Sequence, residues 1–392
     1  MMKIIPDSLA DKYRDELLTN IIPFWENKSI DRDHGGFLTC LDREGKVYDT
    51  DKFIWLQARQ VWMFAFLYNN LEKREKWLEI AERGAHFLEK YGRDEKGNWY
   101  FSLTSEGKPL TAAYNIFSDC FAAMAFAQLA KATGEKNFSS IAENTFRNIL
   151  RRAGNPKGIY NKNISGTRSL KGFSLPMILC NLSLEMEHLL DTELVGEIIT
   201  RCKDDVMEVF YDQASGLIRE NINDDGSFSD TFDGRLINPG HGIEAMWFIM
   251  DIAEKTGDNA LAREAAKRTI DILKYGWDKK YGGIFYFLDI KNSPLQQLEW
   301  DQKLWWVHVE ALVSLIKGYY HTRDNDFLHW FGKVHDYTWS HFPDAEYGEW
   351  FGYLNRRGEV LLPVKGGKWK GCFHIPRGLY HVWKTLDKIN LK

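Results

Sequence analysis

The stretch Gly35–Asp49, GGFLTCLDREGKVYD, decides the fold because its pattern recurs along the chain. It reads as a β-hairpin: an apolar run, a tight turn at Glu44-Gly45, then a second short run. Five more glycine-and-aromatic segments follow. They are GNWYFSLTSEGKPL from Gly97, GIYNKNISGTRSLKG from Gly158, GLIRENINDDGSFSD from Gly216, GGIFYFLDI from Gly282 and GEWFGYLNRRGEVLLP from Gly348. Several of these have the same hairpin form, with Arg357-Gly358 as another turn.

Two helix-length stretches, with apolar residues at i, i+3 and i+4, accompany each segment. The spacing predicts helices over 8–27, 52–70, 74–91, 112–133, 137–152, 172–189, 194–210, 240–256, 259–276, 301–321, 325–341 and 373–390. A period of 20–50 residues would indicate an open solenoid. One of 58 to 66, repeated six times, indicates closure. The expected fold is all-α: an (α/α)6 barrel of twelve helices in six pairs, with short β-hairpins in the inter-pair loops. No Pro/Ser-rich linker interrupts the series, so residues 1–392 are expected to form a single domain. The even-numbered helices each follow a hairpin segment, and most open on aromatic and ionisable residues. They are therefore expected to be the inner ring, with their N-termini at one mouth. Positive helix-dipole ends gathered there favour a developing oxyanion.

Bulk composition narrows the partner. Net charge is −4, from 51 basic and 55 acidic residues, without a basic arm. That balance speaks against nucleic acid or an anionic membrane and for a small neutral ligand. Met1 to Phe24 lacks a leader pattern, and no apolar run approaches the ~20 residues needed to cross a bilayer. Cys40, Cys120, Cys180, Cys202 and Cys372 are odd in number, scattered and without CxxC spacing, as reduced thiols would be. A cytoplasmic location is expected. Aromatic residues are 14% of the chain, including 15 Trp, a composition suited either to an aromatic-lined sugar cavity or to a packed core.

Candidate chemistry sits on the inner helices. Trp55, Arg59 and Trp62 fall on one face of the second helix. A buried Arg there needs an anionic partner, either a structural acid or a substrate oxygen that becomes negative. The eighth helix opens NPGHGIEAMW, with His241 and Glu244 three apart on one face; a carboxylate there would raise the imidazole's basicity. On the tenth helix, LEWDQKLWWVHVEAL, the residues Lys303, Trp306 and Glu310 share a face, whereas His308 points elsewhere and reads as structural. The twelfth opens GCFHIPRGLY, placing His374 at the entry and Arg377 three residues on, with Pro376 suited to a first turn. Trp369, Tyr114 and Asn115 join Trp55, Trp306, Lys303 and Arg377 as substrate-binding candidates. HxH, HExxH, phosphate-loop and serine-elbow patterns are missing, so no metal is expected.

Four long motifs carry a resemblance: HGGFLTCLDREGKVYDTDKFIWLQARQVWM, NPGHGIEAMWF, the run from GWDKKYGGIFYFLD to LEWDQKLWWVHVEA, and EYGEWFGYLNRRGEVLLPVKGGKWKGCFHIPR. Together they resemble the N-acyl-D-glucosamine 2-epimerases (renin-binding proteins) over nearly the whole chain. The resemblance implies an (α/α)6 barrel and an isomerase that interconverts N-acetylglucosamine and N-acetylmannosamine. It assigns catalysis to Arg59, His241, Glu310 and His374, with Glu244 beside them. Two histidines would flank C2, Arg59 would hold an enediolate oxygen, and the glutamates would orient or tune the imidazoles. It further implies that no cofactor is required, that ATP can act as an activator without being consumed, and that a homodimer is compatible. Cellobiose 2-epimerases share the WLQxR and HxxE elements but differ from KGCFHIPR. An epimerase of mannose or cellobiose, a glycoside hydrolase on the same barrel and a non-catalytic binding protein remain the rival readings.

Overall fold

The computed structural model describes residues 7–164 and 166–391. Its first rod, α1, spans 7–28, with a π-turn at Glu16–Ile21 between two α-helical segments. The others are α2 (Ile54–Asn70), α3 (Glu75–Tyr91), α4 (Ile116–Thr133), α5 (Lys136–Arg152) and α6 (Ser174–Met186). Then follow α7 (Thr192–Asp204, prolonged by a π-turn Asp205–Val209), α8 (Pro239–Thr256), α9 (Asn259–Gly276), α10 (Trp305–Thr322), α11 (Asn325–His341) and α12 (His374–Asn390). All twelve expected helices are present.

Burial separates the two rings. α10 is buried without a break from Trp305 to Tyr319, so it is surrounded by protein on every side. α3 buries only Trp77, Ile80, Ala81, Gly84, Ala85, Phe87 and Leu88, a stripe at helical spacing that leaves its other face in water. The even-numbered helices are thus the inner ring, each packed on the next from α2 round to α12. The last seam, between α12 and α2, is closed by aromatic rings: Trp62 against Phe373 at 5.3 Å and Phe66 against Tyr380 at 4.9 Å. Most of the tryptophans serve packing, with Trp25, Trp62, Trp77, Trp99, Trp247 and Trp350 all fully buried.

Short strands stitch the repeats together. The lead-in to one inner helix pairs antiparallel with the hairpin of the next repeat: Lys52–Phe53 with Ser102–Leu103, Leu170–Gly172 with Asn221–Asn223, Leu236–Ile237 with Leu288–Asp289, and Lys303–Leu304 with Tyr353–Leu354. A bridge from Asp42 to Val364 links the last lead-in to the first hairpin. Each repeat but the third also has an Asp just beyond its outer helix, ahead of the glycine turn. Asp31, Asp94, Asp278 and Asp344 each accept backbone N–H bonds from that turn. Three of them also take a fully buried lysine: Lys52 on Asp31 (2.7 Å), Lys303 on Asp278 (3.1 Å) and Lys365 on Asp344 (2.8 Å).

This corner corrects the expectation for Lys303. The tenth helix begins at Trp305 instead of 301, so Lys303 lies in a strand and leaves the helical face of Trp306 and Glu310. Its ammonium is fully buried on Asp278 and over the Phe285 ring, and burial pushes its pKa down to about 8. Lys303→Met should therefore destabilise the fold by about 3 kcal/mol, at the lower end for a broken buried pair because Arg356 still reaches Asp278. Urea unfolding checks this. An unchanged unfolding midpoint with a raised KM would return Lys303 to the ligand.

Candidate active site

The N-termini of the inner helices form a bowl, and three rings line up across it. His241, in the first turn of α8, lies 5.4 Å from Trp306 in the first turn of α10. Trp306 in turn lies 5.6 Å from His374, the first residue of α12. Two imidazoles from distant parts of the sequence thus flank one indole.

Each imidazole is held by a carboxylate. His374 Nδ1 meets Glu310 Oε1 at 2.7 Å, and His241 Nδ1 meets Glu220 Oε2 at 2.9 Å. A carboxylate accepts, so Nδ1 carries the proton in both neutral rings and Nε2 is left as the acceptor nitrogen. Glu310 is wholly buried on α10 and takes two more donors, Arg377 Nη2 at 2.7 Å and Trp247 Nε1 at 2.8 Å. The same Arg377 nitrogen also bonds Glu244. Close approach of α12 to α10 permits this: a Cβ at Gly378 would overlap Val309.

Arg59 is treated in the opposite way. Its guanidinium lies over Phe121 at 3.9 Å, Trp55 at 4.5 Å and Phe373 at 4.8 Å, and it is 8% exposed. Among the described residues nothing hydrogen-bonds it, and its Nε is buried without a partner. Burial drives its pKa down to about 9, against the pull of Glu244 and Glu310. Aromatic faces hold this cation without neutralising it.

Several expected positions are relocated. Glu244 was expected to hold His241; instead it bonds Arg377, because a buried guanidinium demands a charged acceptor and outcompetes the imidazole. It reaches His241 only through its field. Arg377, expected on substrate, is 1% exposed and lies behind the two glutamates. Asn115 caps α4, its side chain accepting from Phe117 N at 3.0 Å. The helix starts at Ile116, four residues later than expected, for that reason. Trp55, Trp369 and Tyr114 gather round Phe101 at the lip: Trp55 meets Trp369 edge-on at 5.4 Å, and Tyr114 lies 5.1 Å from Phe101. His308 donates to Leu304 O and accepts from Ile284 N; burial lowers its pKa to about 3, so it is a neutral structural ring.

Glu220 was missed. Its signal lay in the alternation of Ile218, Glu220 and Ile222, all buried, which turns a carboxylate inward at the bend between the strands Leu217–Ile218 and Asn221–Asn223. Glu244, Glu310 and His374 offer ligand atoms within 4.8 Å of one another, a spacing that suits a metal ion. The charge there is already met by Arg377, which a cation would have to displace.

The fold is a helical barrel, and its candidate site gathers two carboxylate-held imidazoles and a guanidinium left without an anion. Comparison with known proteins makes the class specific. The family described as N-acylglucosamine 2-epimerase (GlcNAc 2-epimerase) matches residues 36–381, and the chain belongs to that family. A protein of Rattus norvegicus named N-acylglucosamine 2-epimerase is 40% identical over 372 residues, covering 92% of this chain and 88% of the rat protein. A cellobiose 2-epimerase of Bacteroides fragilis is 26% identical over 94% of this chain and 97% of its own length. The solved cellobiose 2-epimerase of Bacillus thermoamylovorans shares the fold at a TM-score of 0.82 and 22% identity, over 97% of this chain and all of that one. No helix among the described residues is long and apolar enough to cross a membrane.

The two imidazoles differ electrostatically. Burial works against charge on His241, but the touching Glu220 and nearby Glu244 outweigh it, so its pKa is raised. His374 is held well below the ordinary value by burial and by the Arg59 guanidinium, with Arg377 and His241 adding to this against Glu244. NMR titration of the imidazole Cε1 protons should show His241 titrating above the ordinary ~6.5 and His374 below it. Glu220→Gln should bring His241 down while leaving His374 in place; a His241 curve indifferent to that change would rule out Glu220 as its partner.

Proposed function

We propose that this chain interconverts N-acetyl-D-glucosamine and N-acetyl-D-mannosamine by moving one proton at C2. The observation that carries the reading is the pair of carboxylate-held imidazoles flanking Trp306, in one cluster with the unpartnered Arg59. The sugar ring opens to expose the C1 aldehyde, which acidifies the C2 proton. One neutral Nε2 removes that proton, the electron pair moves into the C1–C2 bond, and O1 becomes negative. Arg59 receives that oxygen. The protonated imidazole on the other face then returns a proton to C2 with inverted configuration. Glu220 and Glu310 hold the two rings, and Glu244 shares Arg377 with Glu310. Trp55, Tyr114, Trp306 and Trp369 supply the aromatic wall. Acid, base and oxyanion clamp are all side chains, so these steps call for no metal. Five buried free cysteines support the proposal of a reducing, cytoplasmic setting.

Glycoside hydrolysis fits less well. It needs two carboxylates astride the scissile bond, and here Glu244 and Glu310 are both bound to one buried guanidinium. The stronger identity to the rat N-acylglucosamine 2-epimerase than to the cellobiose enzyme supports the acylated substrate over an unmodified one.

The test is an NMR time course of N-acetylmannosamine, mannose and cellobiose in D2O. N-acetylglucosamine should appear with deuterium at C2, and the other two sugars should turn over far more slowly. His241→Asn and His374→Asn should each lower turnover by roughly 10²–10⁴-fold with an unchanged far-UV spectrum. Arg59→Met should cost about 10²–10³-fold. The active forms carry one proton shared between the two rings, so kcat/KM should be bell-shaped in pH, with limbs on either side of ~6.5 in both directions. Near wild-type turnover in either histidine variant would end the two-base reading.

A further inference from the structure

Behind the bowl, toward the C-terminal ends of the inner helices, lies a second cavity of about 240 Å³. Trp62, Asn181, Glu185, Trp247, Arg377 and His381 line it. Its polar groups are under-used. Asn181 is 8% exposed, and its amide's one partner among the described residues is Met124 Sδ at 4.0 Å. Glu185 Oε2 accepts from Gln128 at 2.6 Å and Trp62 at 3.0 Å, while Oε1 has no partner among the described residues. His381 makes ring contacts with Trp247 at 5.2 Å and Phe66 at 6.2 Å and, among the described residues, no hydrogen bond. Burial and the nearby Lys317 and Arg377 keep it neutral, one donor and one acceptor.

A carboxamide, a neutral imidazole and a free carboxylate oxygen, set beside indole walls, match vicinal hydroxyls, since each hydroxyl both donates and accepts. An anionic ligand would meet the half-free carboxylate of Glu185, and Lys131 on the same lining offsets that charge, so neither sign of ligand is favoured. A cation finds one free carboxylate oxygen, because Glu187 and Asp251 are already paired with Lys255 and Lys317. We infer that this rear cavity is a second binding site, for a neutral monosaccharide, coupled to the catalytic floor. The coupling is physical. Trp247 donates to Glu310 from one edge and packs on His381. Trp62 bonds Glu185 and packs on Phe373, the neighbour of His374 and one of the rings under Arg59. A sugar held by Glu185 and His381 therefore bears on the groups that fix His374.

Calorimetric titration of N-acetylmannosamine into the turnover-silenced His374→Asn variant tests this. Two binding components per chain are expected. Adding Arg59→Met should remove the bowl component, and Asn181→Leu should weaken the other by about tenfold or more. Asn181→Ser serves if the leucine variant fails to fold. In the otherwise native enzyme, Asn181→Leu should turn a two-phase dependence of rate on sugar concentration into a simple hyperbola. A single component lost with Arg59→Met, or two components indifferent to Asn181, would overturn the second site. A simple hyperbola already in the native enzyme would overturn its coupling to the floor. Failure of the epimerase reading alone would remove only the Arg59-sensitive component.

Discussion

The carboxylate of Glu310 is the point on which the site depends. A fully buried charge is costly unless every lone pair is met, and three donors meet this one: His374 and Arg377 from α12 and Trp247 from α8. Those bonds tie α8 and α12 to α10, so the geometry of the barrel and the tautomer of a candidate catalytic imidazole are set by a single group. Arg377 gives the clearest sign of this. It carries charge into the heart of the barrel, where its Nη2 is shared by two glutamates while its Nε and Nη1 have no hydrogen-bond partner among the described residues.

Arg59 marks the contrast. Two guanidiniums stand in the same cluster, one with two carboxylates and one with none among the described residues. Aromatic faces can hold a cation at modest gain, on the order of 2 kcal/mol when desolvated, which leaves most of its electrostatic demand unmet. A site that holds an unmet positive charge before the substrate arrives needs no reorganisation when negative charge develops on an oxygen. The opposite shifts of the two histidines follow from the same arrangement: Glu220 contacts His241, whereas Arg59 and Arg377 face His374.

The recurrence of hairpins made the twelve helices and their inner and outer order legible, because hydrophobic spacing and glycine turns are local properties. Pairings across repeats were less so. Lys303 looked like a member of the Trp306–Glu310 face only if the helix began at 301; two residues of strand, invisible to helical periodicity, moved it onto Asp278. Glu244 lay on the correct face, but i, i+3 spacing says nothing of a competing guanidinium 133 residues away. Glu220 came from a hairpin read for its turn and not for its alternation. The abundance of tryptophan was ambiguous for a physical reason: an indole fills a core and lines a sugar wall equally well, and here it does mostly the former.

The buried Asp–Lys corners fix the N-terminal side of the ring, where the candidate site lies. Lys52 and Lys303 come immediately before α2 and α10, and Lys365 lies in the approach to α12. Each neutralises an aspartate that also gathers the N–H groups of a glycine turn, so hairpin, lead-in strand and helix entry are locked as a unit. Arg59, Glu310 and His374 are carried by those same three helices. α8 has no such lysine; its entry is held by the Asn238 cap and by the Leu236–Ile237 pairing, and its histidine reaches for the carboxylate of Glu220, in the bend between two short strands. Of the two imidazoles, His241 is therefore the one whose position depends on a partner outside the inner ring, and Glu220 holds for α8 what Glu310 holds for α12.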